Sequence, residues 1–317
     1  MKIVLAGVLA AVTFAAAAQS YPSKPIRIVV PFPPGGVDPV ARLFAPKVSE
    51  ALGQPLVIDN RAGANGFIGT EQVAKAAPDG HTIIFTTSST MVAGVFLAKN
   101  VPFDPVRDFT PITNVYQGVH SLTVNGSAPF NTVKELLDYA RKNPGKLSYA
   151  SSGNGSVFHM NGEALKLAAG IDMLHVPYKG IAQAVTDVVA GRVEVGFPGL
   201  SNIRQFLGTG KVKVLAVLDP KRYDRMPDVP ALQEIVPGFR KTPNWIALFG
   251  PAGMPRPVVM RLNGEVGKAL HSPEVAKAME ESYSQITAGT PEELAAQLKA
   301  DLELVGGMVK KLGLQAE

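Results

Sequence analysis

The 317-residue sequence contains no cysteine. Disulfides, thiolate metal sites and cysteine nucleophiles are therefore excluded. A chain of this length needs no disulfide, because it buries about three quarters of its unfolded surface. Beyond the N-terminus, no apolar run reaches the roughly 20 residues that span a bilayer. The formal net charge is only +5 and no basic run stands out, so we expect no nucleic-acid binding.

Signatures of catalysis and of cofactor binding are also missing. A dinucleotide fingerprint fails at its third glycine, where Phe158 stands, and there is neither a Walker lysine nor a Gly-x-Ser-x-Gly elbow. The five histidines lack metal-ligand spacing. We predict no metal, no cofactor and no enzymatic activity. An exported enzyme stays as an alternative, with Asp38, His159 and Glu163 as its acid–base candidates, although we expect His159 and Glu163 to have structural roles.

The N-terminus is typical of a secretory signal peptide. Lys2 precedes an apolar stretch from Ile3 to Ala18, and the three alanines that close it form a small-x-small cleavage pattern. The stretch is too short for a membrane span. We predict a signal peptide at residues 1–20 and a periplasmic mature chain.

Strands and helices alternate along the mature chain, which indicates an α/β fold. A first series runs from the strand at 26–30 to the strand at 81–86, and a second from 121–124 to 212–217. Such alternation favours βαβ units and a parallel sheet. Three helices follow the strand at 245–249, which indicates a return to the first unit. We predict lobe 1 at 21–123 and 244–317 and lobe 2 at 124–243.

Three strand ends favour a ligand site. After the first strand, two prolines and a Gly-Gly pair precede Asp38, a predicted helix N-cap, and free amides at a helix start attract anions. Residues 151–156 form a matching Ser/Gly turn in the second series. Residues 86–90 are rich in hydroxyls. Each segment also has a purely structural interpretation, as a tight connection or a helix cap without any ligand.

Taken together, these segments resemble the Bug family, the periplasmic solute-binding proteins of tripartite tricarboxylate transporters. The similarity covers essentially the whole mature chain and depends on the number and order of the motifs. The matching segments are residues 25–36, Asp38 with Ala41-Arg42, residues 52–55, 59–61, 74–80, 108–111, 149–156, 175–180, 228–230 and 251–255.

The resemblance implies a type 2 periplasmic binding protein fold, with a ligand cleft between two α/β lobes. It also implies capture of a small organic acid and its delivery to a membrane permease; we expect a monomer. In such proteins, backbone of the two turns holds a ligand carboxylate. Carried over, the expected binding residues are Phe32, Pro34, Gly35, Gly36, Ser88, Ser89, Ser151, Gly153, Asn154, Gly155, Tyr178 and Pro198.

Two departures from the family pattern bear on the ligand. Only Val37 separates the Gly pair from Asp38, where the family usually has two residues, so the first turn is tighter. Pro198 stands where the family commonly has an acidic or amide side chain. We therefore expect a less polar acid, aromatic or long-chain, rather than aspartate. A sensory role with the same cleft is a further alternative to transport.

Overall fold

The computed structural model describes residues 21–35 and 37–316. The predicted signal peptide and Gly36 lie outside this part of the chain. Two mixed β-sheets form its framework, and helices cover both of them. Every helix of the described part is too short or too polar to span a membrane.

The first sheet has six strands in the order β11-β4-β10-β3-β1-β2. Their bounds are β1 (Ile26–Val30), β2 (Leu56–Asn60), β3 (Thr82–Thr87), β4 (Phe109–Gly118), β10 (Trp245–Pro251) and β11 (Ser284–Ile286). Strands β1, β2 and β3 are parallel, whereas β10 runs antiparallel to both β3 and β4. The late return of the chain thus inserts an antiparallel strand into the middle of this sheet.

The second sheet has five strands in the order β7-β6-β8-β5-β9. They are β5 (Ser121–Asn125), β6 (Ser148–Ser151), β7 (Leu174–Pro177), β8 (Val195–Gly196) and β9 (Val212–Val217). Strand β6 is parallel to β7 and β8, but β5 is antiparallel to β8 and β9. The predicted parallel pairing therefore holds within each βαβ series and is wrong where the chain crosses between sheets.

Eleven α-helices occur among the described residues. They are α1 (Asp38–Leu52), α2 (Phe67–Ala74), α3 (Gly94–Leu97), α4 (Val133–Lys142), α5 (Val157–Ala169), α6 (Ile181–Val189), α7 (Leu200–Ile203), α8 (Leu232–Ile235), α9 (Arg256–Leu270), α10 (Pro273–Glu281) and α11 (Pro291–Leu312). A π-helical turn, Ser89–Ala93, leads into α3. Short 3₁₀ turns lie at Ala64–Gly66 and Arg204–Phe206.

The two crossings between the sheets lie close together in space. The chain leaves the first sheet after β4, enters the second at β5, and returns between β9 and β10. The predicted boundary between residues 123 and 124 therefore falls inside β5, which pairs wholly within the second sheet. We propose a corrected division with lobe 1 at 21–118 and 244–316 and lobe 2 at 119–243.

The return strand also anchors the C-terminal helix. Trp245 is fully buried in the core, and its Nε1–H donates to Asp301 Oδ2 of α11 at 2.7 Å. Burial raises the pKa of Asp301 to about 6, although the bond from Trp245 opposes the shift. The single tryptophan is thus a core residue beside the crossing, as its apolar surroundings in the sequence indicate.

Candidate functional site

A cleft of about 1020 Å³ lies between the two lobes. Its walls come from the ends of β1 and β3, from the turns that follow them, and from the start of α5. The lobe 1 wall is Phe32, Pro33, Val37, Ala64, Asn65, Phe67, Thr87, Ser89, Gly94, Leu97, Ala98, Lys99 and Asn100, and the lobe 2 wall is Ser152, Asn154, Gly155, Ser156, Val157 and Phe158. Ligands of open α/β sheets bind at such carboxyl ends of strands.

The lobe 2 turn presents a helix start to the cleft. Ser156 caps α5, with its Oγ accepting from His159 N–H at 3.2 Å. The amides of Val157 and Phe158 occupy the first two helical positions, where the helix itself provides no carbonyl acceptor. Both residues line the cleft. This 13-residue helix therefore offers unpaired donors and its positive dipole end to an anion.

Two histidines support that turn from behind. Gly155 N–H donates to His159 Nδ1 at 3.0 Å, and Ser151 Oγ lies 2.7 Å from His175 Nε2. The two imidazoles stack with centroids 4.0 Å apart. Burial lowers the pKa of both rings, that of His175 to about 4 with a further contribution from His159. The rings are therefore neutral near pH 7, which leaves His159 Nδ1 as an acceptor.

The lobe 1 turn is closed by its own carboxylate. Asp38 Oδ1 accepts from Gly35 N–H at 2.6 Å, and Oδ2 accepts from Arg42 Nε at 2.9 Å. Arg42 also donates to Asn60 Oδ1, and Asn60 Nδ2 donates to the Phe32 carbonyl, both at 3.0 Å. The predicted N-cap is wrong, because Val37 holds that position and Asp38 is the first helical residue. The Gly35 amide is thus already paired.

The other predicted residues of lobe 1 take different positions. Phe32 and Ser89 line the cleft, whereas Pro34 is exposed beside it. Ser88 is buried and its Oγ donates to the Pro243 carbonyl at 2.8 Å, next to the second crossing. Gly36 lies outside the described residues, so its predicted contact stays a prediction.

The predicted residues of lobe 2 also fall into two groups, those that line the cleft and those that support the turn. Asn154 and Gly155 line the cleft. Ser151 is fully buried and shapes the turn, since its Oγ accepts from Gly153 N–H at 3.1 Å. Gly153 has a φ of +118°, a conformation that glycine adopts without strain. Ser151 and Gly153 thus fix the shape of the turn without lining the cleft.

Tyr178 and Pro198 lie outside the cleft wall, contrary to our expectation. Tyr178 borders a separate surface depression, and its Oη donates to Asp187 Oδ2 at 2.6 Å. Pro198 is buried inside lobe 2, where its carbonyl accepts from Ser121 N–H at 2.9 Å. Both residues follow strands, but their side chains contact lobe 2, Tyr178 at Asp187 and Pro198 within a small internal cavity. Pro198 therefore carries no argument about the ligand.

Sequence reasoning missed a polar cluster at the two crossings. Asn161 Oδ1 accepts from Thr242 N–H at 2.8 Å, and Asn244 Nδ2 donates to the Gly118 carbonyl at 2.5 Å. His120 is buried at the first crossing, and its ring stacks on Phe158 with centroids 5.3 Å apart. Burial and Lys241 lower the pKa of His120 to about 3. No local pattern signals this cluster, since its members come from three distant segments, 118–120, 158–161 and 241–244.

Among the described residues, the cleft wall contains none of the three acid–base candidates Asp38, His159 and Glu163. Within the described residues, Lys99 is the one charged side chain that lines it. Asp38 is paired as described, and Glu163 accepts from Tyr149 Oη at 2.6 Å and from Lys166 Nζ at 2.9 Å. His159 bonds Gly155 rather than Glu163. In the part of the chain that the structure describes, no three His, Cys, Asp or Glu side chains lie close enough together to hold a metal ion.

Comparisons with known proteins agree on one family. The family model "Tripartite tricarboxylate transporter family receptor" matches residues 40–314. The UPF0065 protein in the tcbD-tcbE intergenic region of Pseudomonas sp. strain P51 is 42% identical, over 95% of this chain and 91% of that protein. Protein BugT of Bordetella pertussis is 32% identical, over 98% of this chain and 95% of its own. The solved structure of R. palustris Rpa4515 with adipate is 32% identical, covers 94% of this chain and 100% of that chain, and superposes with a TM-score of 0.79.

Proposed function

The chain belongs to the tripartite tricarboxylate transporter receptor family, also called TctC or Bug, and we propose that it binds a small organic carboxylate and delivers it to a membrane permease. The family match covers most of the chain. The predicted family and the two-lobed α/β binding protein fold are thereby confirmed. The chain is a periplasmic solute-binding protein of this family; the nature of its solute, its export by residues 1–20 and its monomeric state are our proposals.

The observation that carries the proposal is the start of α5 on the cleft wall. A carboxylate there accepts from the Val157 and Phe158 amides, with Asn154 beside it. Hydrogen bonds to a charged group contribute about 1.5–3 kcal/mol each. The helix terminus adds about 0.3–1 kcal/mol at an exposed site. Contacts of this kind hold an anion without an arginine.

The opposite wall contributes polar and apolar contacts rather than a second helix start. Since Asp38 already pairs the Gly35 amide, we assign the carboxylate to lobe 2 and propose Ser89 as its polar partner from lobe 1. Phe32 and Gly155 complete the proposed contact set. Ser88, Ser151 and Gly153 act by positioning these residues.

Closure of the lobes follows from contacts across the cleft. A Cβ added at Gly155 would lie 2.5 Å from Leu97 Cδ1, so the lobes already touch at this point. Hinge closure around a ligand is known for periplasmic binding proteins as a class. A ligand stabilises the closed form only as far as it binds that form better. We propose that the crossings at 118–121 and 242–245 are the hinge.

Release of the ligand unchanged is part of the proposal. Catalysis requires a positioned acid or base within hydrogen-bond reach of the substrate. The candidates Asp38, His159 and Glu163 all have internal partners and lie outside the cleft wall of the described residues.

Native mass spectrometry of the purified protein tests the binding function. We expect a co-purified small acid, and thermal stabilisation when acids are added after it is removed. A preparation with no bound acid, and no stabilisation by benzoate, adipate or malate, would contradict the proposal. Delivery is tested separately, by uptake of the bound acid in cells that carry the permease with and without this protein.

A further inference from the structure

Given carboxylate capture, we propose that the ligand is an aryl carboxylate whose ring lies between Phe32 of lobe 1 and Phe158 of lobe 2. Both side chains line the cleft and both are half-buried. They come from the two opposed walls. We call this pair of rings the aromatic clamp.

Each ring of this clamp is held in place by its own lobe. Phe158 packs one face on His120, with centroids 5.3 Å apart and planes inclined by 30°. The Phe32 carbonyl is fixed by Asn60, and its ring reaches the Ala64–Gly66 turn, where a Cβ at Gly66 would lie 3.4 Å from Cζ. Fixed rings lose little side-chain freedom when a ligand binds, which favours a flat partner over a flexible one.

The position of Phe158 places the aromatic ring of the ligand next to the ligand's carboxylate. Phe158 is the second residue of α5, so its own amide belongs to the proposed carboxylate site. Atoms bonded directly to a carboxylate at the helix start therefore lie beside the Phe158 ring. This adjacency favours a ring attached to the carboxylate over a carboxylate at the end of a long chain.

The charges of the wall disfavour amino acids and give diacids little advantage over monocarboxylates. Among the described lining residues there is no carboxylate, so an α-ammonium group would be desolvated without a counter-ion. A second carboxylate would find only Lys99, which is exposed at the cleft margin. Amino acids are thus disfavoured, and diacids gain little from their second charge.

Isothermal titration with benzoate and cyclohexanecarboxylate tests the clamp, since the two acids differ in planarity and π-electrons but share a six-carbon ring and one carboxylate. We expect benzoate to bind at least about fivefold more tightly. Phe158→Leu and Phe32→Leu should each remove most of that preference and change the affinity for cyclohexanecarboxylate by less than about twofold. Phe206→Leu is the matched control, because Phe206 is a half-buried ring of lobe 2 outside the cleft wall.

Equal affinities for the two acids, or equal losses for both in the leucine variants, would overturn the inference. Tight binding of malate or adipate without binding of benzoate would also overturn it, while leaving the proposed function intact. Failure of every acid, with none co-purified, would overturn the proposed function itself. Circular dichroism of each variant identifies any that fails to fold, and Phe→Tyr at the same position then provides the comparison, since it keeps the ring and should keep the preference.

Discussion

The two glycine-bearing turns look alike in sequence and differ in the folded chain. The lobe 1 turn pairs its Gly35 amide with Asp38 of the same turn. In the lobe 2 turn, neutral His159 and His175 hold Gly155 and Ser151 from behind, and the first amides of α5 are left toward the cleft. A strand–turn–helix motif therefore defines a potential anion site, but the neighbouring side chains decide whether its donors are available.

Of the substitutions that distinguish the two turns, we expect the largest loss of ligand affinity at Gly155. A methyl group there meets Leu97 across the cleft and sits at a φ of +70°. We expect Gly155→Ala to lower ligand affinity by about tenfold or more, because a methyl group 2.5 Å from Leu97 Cδ1 must displace the lobe 2 turn or hold the lobes apart. The left-handed conformation, which costs an alanine about 1–2 kcal/mol, lowers the stability of the fold instead. Isothermal titration with the co-purified acid measures it.

Gly170→Ala is the matched control for that substitution. Gly170 ends the same helix at a φ of +63°, with open space around its Cβ position. Both variants should lose similar thermal stability, but only Gly155→Ala should lose affinity. Leu97→Ala in the Gly155→Ala background should recover part of the affinity. Equal affinities in the two single variants would contradict the role of the lobe 2 turn.

Acidification should weaken the lobe 2 turn next most strongly. The folded-state pKa of His175, about 4, lies below its ordinary 6.5, so between these values the unfolded chain binds more protons. Stability contributed by neutral His175 is therefore complete above pH 6.5 and is lost progressively toward pH 4. Thermal melting from pH 7 to 4 should show a smaller fall in His175→Gln than in the parent chain.

Other groups also titrate between pH 4 and 7. The test therefore compares the pH dependence of melting in His175→Gln with that of the parent chain. Asp301, with its pKa raised to about 6, binds its proton more tightly in the folded state. It stabilises at low pH, and this contribution is lost as pH rises through 6. His271→Gln, an exposed change, should leave the melting profile parallel to that of the parent chain. An identical slope in His175→Gln would argue against the histidine support.

Removal of the lobe 1 carboxylate should affect stability more than binding. Asp38→Ala removes the buried carboxylate that accepts from Gly35 N–H and Arg42 Nε. We expect this loss to cost about 1–3 kcal/mol and melting to fall by about 2–8 °C. Affinity for a monocarboxylate should change by less than about threefold, because the proposed carboxylate site is on lobe 2. Titration and thermal melting of the variant provide both values.

Asp138→Ala provides the comparison for that loss. Asp138 forms exposed ion pairs with Lys134 and Arg141 on another helix, and such pairs are worth about 0–1 kcal/mol. Its removal should lower melting less than Asp38→Ala does. A tenfold or greater loss of affinity in Asp38→Ala would instead place the carboxylate on lobe 1.

The smallest effect is expected at the cleft margin. Lys99 is exposed, and exposed charges are screened within a Debye length of about 8 Å at physiological salt. Lys99→Gln should lower affinity by less than about twofold, and only at low ionic strength. Titrations at two salt concentrations measure this. A large, salt-independent loss would indicate a direct ion pair with a second ligand charge.

Most strands and helices were predictable because their signals are local. Each signal lies within a few residues of the element that it defines. Examples are the apolar run at 26–30, the caps at Thr132 and Thr290, and the prolines that open the last helices. Antiparallel pairing of β10 was not predictable, since it joins residues more than 100 positions apart. The predicted boundary between residues 123 and 124 divides β5, whose partners β8 and β9 are likewise distant in the sequence.

In the candidate site, the segments were predictable and the side-chain assignments were less so. Four of the predicted residues line the cleft: Phe32, Ser89, Asn154 and Gly155. Pro198 was assigned to the pocket by position in a motif, but the strand it follows faces the interior of lobe 2. In the sequence, Phe158 stands out only because it occupies the position of the third glycine of a dinucleotide fingerprint.

The sequence by itself determined the order of elements, the family and the presence of two donor-rich turns, because caps, prolines and glycines act over one or two turns of backbone. Only the tertiary structure shows that Asp38 accepts from the Gly35 amide of the first turn, that stacked histidines support the second turn, and that Phe32 and Phe158, from different lobes, both line the cleft. Those arrangements depend on packing between segments far apart in the chain, and no short stretch of residues contains that information.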